Sequence, residues 1–318
     1  MATGEHENTR GRDAQDGHDG RGILYSKASE KDVEAFKAAL AEHRKEHGPD
    51  FRNMVFPEGF HFRETVFEGA ATFENTTFAG EVDFSRALFT GEVDFREVTF
   101  KSRADFGSVT FADVPDFSRA IFSGPAIFRY ATFVYGADFR ETAFEAESNF
   151  RYATFADQAD FKNAVFGGDV AFKGAAFNGT VSFGTLGLQG HGVKFSSRAD
   201  FKKAIFGDTA YFKDVTFEGP ADFERAAFAD GVTFNDAAFE GEANFRSTMF
   251  AGEADIIAEI TFSSATFADK ADFAGATFAD EVNFGRATFG TATFESATFA
   301  DEADFDGATC ENGTAMPF

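Results

Sequence analysis

Histidine and cysteine are the side chains best suited to catalysis or metal binding, and this 318-residue chain has six histidines and one cysteine. The histidines are His6, His18, His43, His47, His61 and His191. Four precede residue 50 and the other two are isolated, whereas a nucleophile, base or metal centre needs several such groups in one pocket. The chain has no Gly-x-x-x-x-Gly-Lys-Ser/Thr, His-Glu-x-x-His or Cys-x-x-Cys motif. We therefore predict no catalytic residues, no metal site and no cofactor.

Phenylalanine dominates the apolar residues, with 48 copies against five Tyr and no Trp. From Phe51 onward the gaps between successive Phe alternate between 5 and 6 residues, so the period is 11. This spacing continues to Phe183, resumes at Phe195 or Phe201, and runs again from Phe262 to Phe305. All Phe except Phe36, Phe60 and Phe318 belong to it. Such a strict period indicates a repeat architecture.

Each repeat unit reads Ala/Val-Asp/Asn-Phe-x-x-Ala-Thr-Phe-x-x-x, as in Ala104-Asp105-Phe106 followed by Val109-Thr110-Phe111. Alternate side chains of an extended chain point to opposite faces. The small residue and Phe therefore point inward, and Asp or Thr points outward. Cys310 follows Phe305 by five residues and so occupies an inward Phe position. Short strands with regular turns predict a β-solenoid whose core includes Phe106, Phe111, Phe161, Phe166, Phe273 and Phe278.

The segment Val82-Asp83-Phe84-Ser85-Arg86 resembles the pentapeptide repeat, whose pattern is small, Asp/Asn, Leu/Phe, polar, any. The resemblance covers about 260 residues, but every second pentapeptide here has one extra residue. It implies an all-β fold, a right-handed quadrilateral β-helix with four pentapeptides per coil. Two units of eleven should then make one coil with two widened corners. Residues 51–310 would give about 12 coils and a rod ~57 Å long.

The ends and interruptions of the repeat define the remaining segments. We expect a disordered tail at residues 1–24 and an N-terminal capping helix at 25–50, started by a capping box at Ser29 and ended by Gly48-Pro49. Residues 311–318 form a short C-terminal tail. The repeat of 51–310 has breaks near 184–195 and 256–261, with about seven and six extra residues. The first break contains the candidate functional loop residues Leu186, Leu188, Gln189 and His191; a bulged corner without a partner is the alternative.

Composition and charge narrow the possible environments and partners. No run of 18 apolar residues or secretory signal is present, so we predict no membrane association, and the single Cys fits a reducing cytoplasm. The net charge of -24 disfavours direct binding to nucleic acid. Acidic residues are concentrated toward the C-terminus without basic neighbours, which suggests a partner-binding surface. Its candidates are Glu253, Asp255, Asp269, Asp272, Asp280, Glu281, Asp301, Glu302, Asp304 and Asp306.

Some members of the family that the chain resembles are acidic rods that mimic DNA and bind type II topoisomerases. The resemblance therefore implies a non-catalytic interaction protein whose protein partner is DNA gyrase or topoisomerase IV. A homodimer formed through one end of the solenoid would fit such a rod. The alternative is a scaffolding solenoid that self-associates through its ends, with acidity serving only solubility.

Overall fold

The chain folds into a parallel β-solenoid of about eleven turns that is preceded by two helices. A computed structural model describes residues 22–27, 32–185, 192–251 and 259–311. A regular coil takes 22 residues and has four sides, here called faces 1 to 4 in chain order. Face 3 pairs Thr110 with Leu88 before it and Thr132 after it, so neighbouring coils are in register. The predicted quadrilateral β-solenoid with an N-terminal helix is confirmed.

Faces 1 and 3 consist of strands in which an outward residue precedes an inward Phe, except that the inward residue of the last face 1 strand is Cys310. The face 1 strands are Val55–Phe56, Thr77–Phe78, Thr99–Phe100, Ile121–Phe122, Ala143–Phe144, Val165–Phe166, Lys194–Phe195, Thr216–Phe217, Ala238–Phe239, the start of Thr266–Asp272, the start of Thr288–Thr293, and Thr309–Cys310. The face 3 strands are Val66–Phe67, Leu88–Phe89, Thr110–Phe111, Thr132–Phe133, Thr154–Phe155, Ala176–Phe177, Ile205–Phe206, Ala227–Phe228, Met249–Phe250, Thr277–Phe278 and Thr298–Phe299.

Faces 2 and 4 consist mostly of strands in which a small inward residue precedes an outward one, followed by an inward Phe. The face 2 strands are Phe60–His61, Val82–Asp83, Ala104–Asp105, Ala126–Ile127, Ser148–Asn149, Val170–Ala171, Ala199–Asp200, Ala221–Asp222, Ala243–Asn244, and the ends of Thr266–Asp272 and Thr288–Thr293. The face 4 strands are Ala71–Thr72, Val93–Asp94, Pro115–Asp116, Ala137–Asp138, Ala159–Asp160, Val181–Ser182, Ala210–Tyr211, Val232–Thr233, Ile260–Thr261, Val282–Asn283 and Ala303–Asp304.

The interior consists of four columns of stacked Phe rings, one column for each face. Phe106 is fully buried and stacks on Phe84 and Phe128, with ring centroids 4.9 Å away in both cases. It also meets Phe95 of face 4 edge to face at 5.6 Å. Parallel stacking along the axis and T-shaped contact across it are both favourable aromatic geometries. The six Phe predicted to form the core are all buried, which confirms that assignment.

The four edges of the rod alternate between two constructions, which explains the 5 and 6 spacing. Edges 2 and 4, which follow faces 2 and 4, are tight turns such as Phe84 to Ala87, closed by a 3.0 Å bond from the Ala87 N–H to the Phe84 carbonyl. The third residue of this turn, Arg86, has φ 56°, as a type II turn requires. Edges 1 and 3, which follow faces 1 and 3, have three residues and contain the extra position. The two predicted widened corners are therefore present.

The helix α2, Val33–His47, covers the N-terminal end of the Phe columns. Its buried Phe36 lies 5.3 Å from the rings of both Phe56 and Phe60. The N-cap is Asp32, which accepts hydrogen bonds from the next turn; the predicted cap at Ser29 is wrong because an acceptor stands directly before the first turn. Gly48 is the C-cap, as predicted. A short helix α1, Gly22–Tyr25, buries Leu24, so the prediction of a disordered tail is wrong for residues 22–24. The rest of that predicted tail lies outside the described residues.

Both breaks insert chain without disturbing the order of faces. Val165 pairs with Lys194, 29 residues later, and Val232 pairs with Ile260, 28 residues later, where 22 is the regular step. The seven and six extra residues predicted from the spacing are therefore confirmed. Edge 1 is one residue short at Gly290-Thr291, and the strands there run continuously around it with a register shift. The gap from Phe289 to Phe294 is accordingly 5 residues where the alternation requires 6, so the regular spacing predicted from Phe262 to Phe305 is wrong at this point.

Candidate interaction surface

The acidic residues predicted to form one surface are spread around the rod. Asp280, Glu281, Asp301 and Glu302 lie together on edge 3, with Asp304 beside them on face 4. Asp269 lies on edge 1, on the opposite side of the solenoid from that group. Asp306 lies on edge 4 at the other border of face 4, and its N–H donates to the Asp304 carboxylate at 2.7 Å. Glu253 and Asp255 lie outside the described residues. The period of 11 does not show that Asp269 and Asp280 are separated. One coil contains two units of eleven, and equivalent positions of the two units lie on opposite sides of the rod.

Asp272 is not part of an exposed surface, so the prediction that it belongs to the acidic partner-binding surface is wrong. The residue is 3% exposed on face 2. Its carboxylate accepts from Lys270 Nζ at 2.8 Å, Arg246 Nη1 at 3.3 Å and the Ala274 N–H at 3.0 Å. Burial raises the pKa of Asp272, but these hydrogen bonds outweigh it and leave the pKa below its usual value. Two cations cover the carboxylate, so Asp272 holds neighbouring coils together.

The low pKa of Asp272 predicts a loss of stability in acid. A carboxyl whose folded-state pKa is lowered stabilises the fold above its unfolded pKa and loses that effect as the pH falls through the folded value. We expect Asp272→Asn to lower the free energy of unfolding by about 1.5–3 kcal/mol at pH 7, since hydrogen bonds to a charged group are lost. The difference should shrink below about pH 4. Urea titrations at pH 7 and pH 3 measure it, with exposed Asp269→Asn as the control; an equal difference at both pH values would contradict the assignment.

The candidate loop residues Leu186, Leu188, Gln189 and His191 lie outside the described residues. The chain leaves the solenoid at Gly184 and returns at Gly192 on edge 4. The Val193 N–H donates to the Phe183 carbonyl at 2.8 Å and closes the base of this insertion. Thr185 hydrogen-bonds to Asp214 of the next coil. The base of this insertion is therefore anchored to the solenoid. The second break, near residues 256–261, lies on edge 3.

Edge 3 carries acidic side chains along the rod and has no basic residue among the described positions. We call it the acidic edge; its carboxylates are Glu68, Glu92, Asp113, Asp157, Asp208, Asp230, Glu259, Asp280, Glu281, Asp301 and Glu302. None of them forms an ion pair with another described residue. Only the four at the C-terminal end were in the predicted surface. Aligning the sequence on a period of 22 would have revealed the rest.

Several acidic-edge aspartates also shape the corner on which they lie. The carboxylate of Asp157 accepts from the Gln158 N–H at 2.8 Å, and Asp230 accepts from the Gly231 N–H at 2.7 Å. The same bond is made by Asp113, Asp208, Asp280 and Asp301. A side-chain acceptor satisfies a backbone donor that no neighbouring strand reaches. Part of this charge therefore has a local structural cause, and an amide of the same shape would serve that purpose equally well.

Face 4 adds a column of aspartates beside the acidic edge, but its carboxylates are mostly paired. Asp94, Asp116, Asp138 and Asp160 are consecutive partners in the sheet. Cations two residues further on pair with three of them, at 2.7 Å for Asp94, 2.5 Å for Asp138 and 2.9 Å for Asp160. An open groove of about 640 Å³ lies along the N-terminal part of this face. These pairs compensate most of the charge on face 4 and leave the acidic edge as the main uncompensated charge.

Edge 2 has the opposite character, and we call it the basic edge. Its cations are Arg63, Arg86, Arg129, Arg151, Lys173, Lys202, Lys203, Arg225 and Arg246, against the acids Glu64, Glu224 and Glu295. Tyr130 and Tyr152 stack at 5.3 Å on this edge, with the guanidinium of Arg129 4.7 Å from the Tyr130 ring. The sequence analysis did not predict the basic edge, because the period of 11 does not distinguish positions on edge 2 from the equivalent positions on edge 4.

No arrangement for metal chemistry is present among the described residues, since no group of three His, Cys, Asp or Glu is placed to hold a metal ion. Cys310 lies in the Phe column directly after Phe289 and is partly buried, so it packs as a core residue. None of the described helices has both the length and the apolar character needed to cross a membrane. What the geometry offers is extended, charged and apolar surface.

The repeat geometry agrees with the comparisons to known proteins. The family model for pentapeptide repeats (9 copies) matches residues 51–99, 106–154, 146–185, 187–227, 212–256 and 262–309. The chain therefore belongs to the pentapeptide-repeat family. A similar solved structure is HetL, a pentapeptide repeat protein involved in heterocyst differentiation regulation from the cyanobacterium Nostoc sp. strain PCC 7120; identity is 12%, coverage 88% of this chain and 98% of that chain, and the TM-score 0.30. No curated protein matches the chain.

Proposed function

We propose that this pentapeptide-repeat protein is a non-catalytic interaction protein whose acidic edge docks in the DNA-binding groove of a type II topoisomerase, DNA gyrase or topoisomerase IV. The observation that supports this proposal is the row of eleven carboxylates on one edge without a basic residue among them. Such a row attracts the basic groove that an enzyme uses for DNA, because opposite potentials steer association.

The dimensions of the acidic edge suit that role. Eleven coils at ~4.8 Å extend about 50 Å, which gives about one edge carboxylate per 5 Å. A DNA strand carries one phosphate per about 3.4 Å, so the edge has a similar linear arrangement at a lower density. The edge carboxylates make no internal ion pairs with described residues, and docking therefore breaks none there.

The test measures gyrase supercoiling, topoisomerase IV decatenation and poison-induced DNA cleavage at low salt with micromolar protein. Inhibition of turnover or reduced cleavage is expected. The test variant changes Asp157, Asp208, Asp230 and Asp280 to Asn and Glu281 to Gln; Asn keeps the oxygen that accepts the corner N–H, so the fold should persist. This variant should lose at least tenfold in potency.

A matched control neutralises five exposed acids on edge 1, namely Glu58, Glu81, Glu145, Glu147 and Glu240, each changed to Gln. This control has the same net charge as the test variant but keeps the acidic edge. Equal potency of the two variants would show that only total charge matters. No effect of the unaltered protein on either enzyme would overturn the proposal.

The alternative function is a scaffold that self-associates through its ends. One observation favours the C-terminal end: α2 covers the N-terminal coil, whereas Phe294, Phe299 and Phe305 in the last coil are partly exposed. Association at that end would give a particle about twice as long as one rod. Small-angle X-ray scattering measures the maximum dimension, and a concentration-independent value of one rod length would exclude this alternative.

A further inference from the structure

Face 3 is the one side of the rod whose outward residues are all uncharged. They are Val66, Leu88, Thr110, Thr132, Thr154, Ala176, Ile205, Ala227, Met249, Thr277 and Thr298. Val66, Ile205 and Met249 are about half exposed, at 51%, 51% and 48%. Six of the eleven are apolar and the other five are Thr, so the face is an uncharged strip with exposed apolar residues toward both ends. Contiguous exposed apolar surface of this kind marks an interaction site.

Exposed apolar groups are concentrated on this side of the molecule. Ten large hydrophobic residues are exposed in the described chain, and seven of them lie on face 3 or on its two bounding edges. The four on the edges are Val114, Tyr130, Tyr135 and Tyr152. An apolar centre with a charged rim is the usual composition of a protein interface. Here the rim is basic on one side and acidic on the other.

We propose that face 3 is a homodimer interface, in which two copies pack face 3 against face 3 with their rods parallel. Two twofold arrangements are possible. An axis along the rods keeps them parallel and sets the basic edge of each copy against the acidic edge of the other. An axis across the rods makes them antiparallel and sets like charges against each other. The charges therefore select the parallel dimer.

The charges of the two copies also match in individual coils. In one copy, a cation just before a face 3 strand and a carboxylate just after the same strand lie at the same level, that is, at the same height along the rod axis. The parallel dimer therefore sets each such cation opposite the corresponding carboxylate of the other copy. Five levels supply such a pair: Arg63 with Glu68, Arg86 with Glu92, Arg151 with Asp157, Lys203 with Asp208, and Arg225 with Asp230. A twofold axis uses each pair twice. A single copy cannot join them, since the whole width of face 3 separates the two edges.

The available area suits a specific dimer. Face 3 is about 50 Å long and about 12 Å wide, from strand spacing and rise, or ~600 Å² per copy. Specific interfaces bury about 800 Å² per partner, and the two edges supply the difference. This dimer does not depend on the proposed topoisomerase function, but it covers the acidic edge, so the two associations compete.

The first experiment tests the charge pairing by analytical ultracentrifugation. Arg63→Glu with Arg86→Glu makes both rims acidic, and Glu68→Lys with Glu92→Lys makes both rims basic at the same two levels. Each double variant alone should dimerise at least tenfold more weakly than the unaltered protein. An equimolar mixture of the two should restore the dimer, because both rims are then complementary. Arg119→Glu with Arg140→Glu, on edge 4, is the control and should dimerise normally.

The second experiment tests the orientation with cysteines in a Cys310→Ser background. In the parallel dimer each face 3 residue faces the same residue of the other copy across about 10 Å, which is too far for a disulfide. A short bismaleimide spans that distance, so it should cross-link Thr277→Cys into a dimer. In an antiparallel dimer two such residues would be about 38 Å apart, and Thr277→Cys would instead link to Leu88→Cys. A monomer at 100 µM, failure of the mixture to restore the dimer, or only the mixed cross-link would overturn the proposal.

Discussion

Replacing Phe139 with Ala should lower the free energy of unfolding by about 3–5 kcal/mol, because the change removes buried apolar area and leaves a cavity. The Phe139 ring is fully buried. It stacks on Phe117 at 4.9 Å and on Phe161 at 5.0 Å, and meets Phe128 edge to face at 5.6 Å. Neighbouring coils cannot close the gap, since the hydrogen bonds between them fix their spacing.

The measurement is urea unfolding combined with amide hydrogen exchange, which shows where the loss occurs. In a solenoid each coil contacts only its neighbours, so the amides of the two adjacent coils should lose the most protection. Phe305→Ala in the last coil is the control, and partial exposure there should limit its cost to about 1–2 kcal/mol. A uniform loss of amide protection, or an equal loss of unfolding free energy in both variants, would contradict the claim that each Phe stabilises mainly its own part of the column.

Gly136→Ala should cost about 3 kcal/mol, with two contributions. Gly136 has φ 90°, a conformation that costs an L-residue about 1–2 kcal/mol. A Cβ at this position would also overlap the carbonyl oxygen of Gln158 in the next coil. Backbone must move to relieve that contact, at a further cost of about 1–3 kcal/mol.

Gly59→Ala separates these contributions, because Gly59 has φ 75° but no atom within 4 Å of its would-be Cβ. Only the conformational cost should appear there, so Gly59→Ala should destabilise by about 1–2 kcal/mol. Thermal unfolding of the two variants gives the comparison. If both variants lower the unfolding midpoint equally, the close approach of the next coil at Gly136 does not add to the cost of a Cβ there.

The architecture could be predicted from the sequence because Phe spacing is set by the coil itself. Each side of the coil has one Phe, as at Phe106 and Phe111. The positions of these Phe therefore predict the strands, the inward-facing residues and the number of residues per side. The N-terminus was less predictable: Asp32 and Ser29 are both good helix caps, and only the structure shows which lies directly before the first turn.

The interaction surface was harder to predict because charge follows the coil of 22 residues and not the unit of 11. Arg129 and Arg140 are equivalent in the unit, yet they lie on edges 2 and 4, on different sides of the rod. Asp272 looked like any other acid because its exposure depends on cations from two coils, Lys270 and Arg246. Contacts between coils, which the spacing of one residue type does not describe, decide both cases.

The four-sided coil also limits how such a gene can change in length. Deleting 22 residues would remove one full coil and keep every later side chain on its own face. Deleting only 11 would keep all the Phe columns filled but turn the rest of the rod by half a revolution. Beyond that point the basic edge would continue into edge 4 and face 3 into face 1. Selection for a functional surface would therefore favour gain and loss of two eleven-residue units at a time. Selection for folding alone would not distinguish one unit from two.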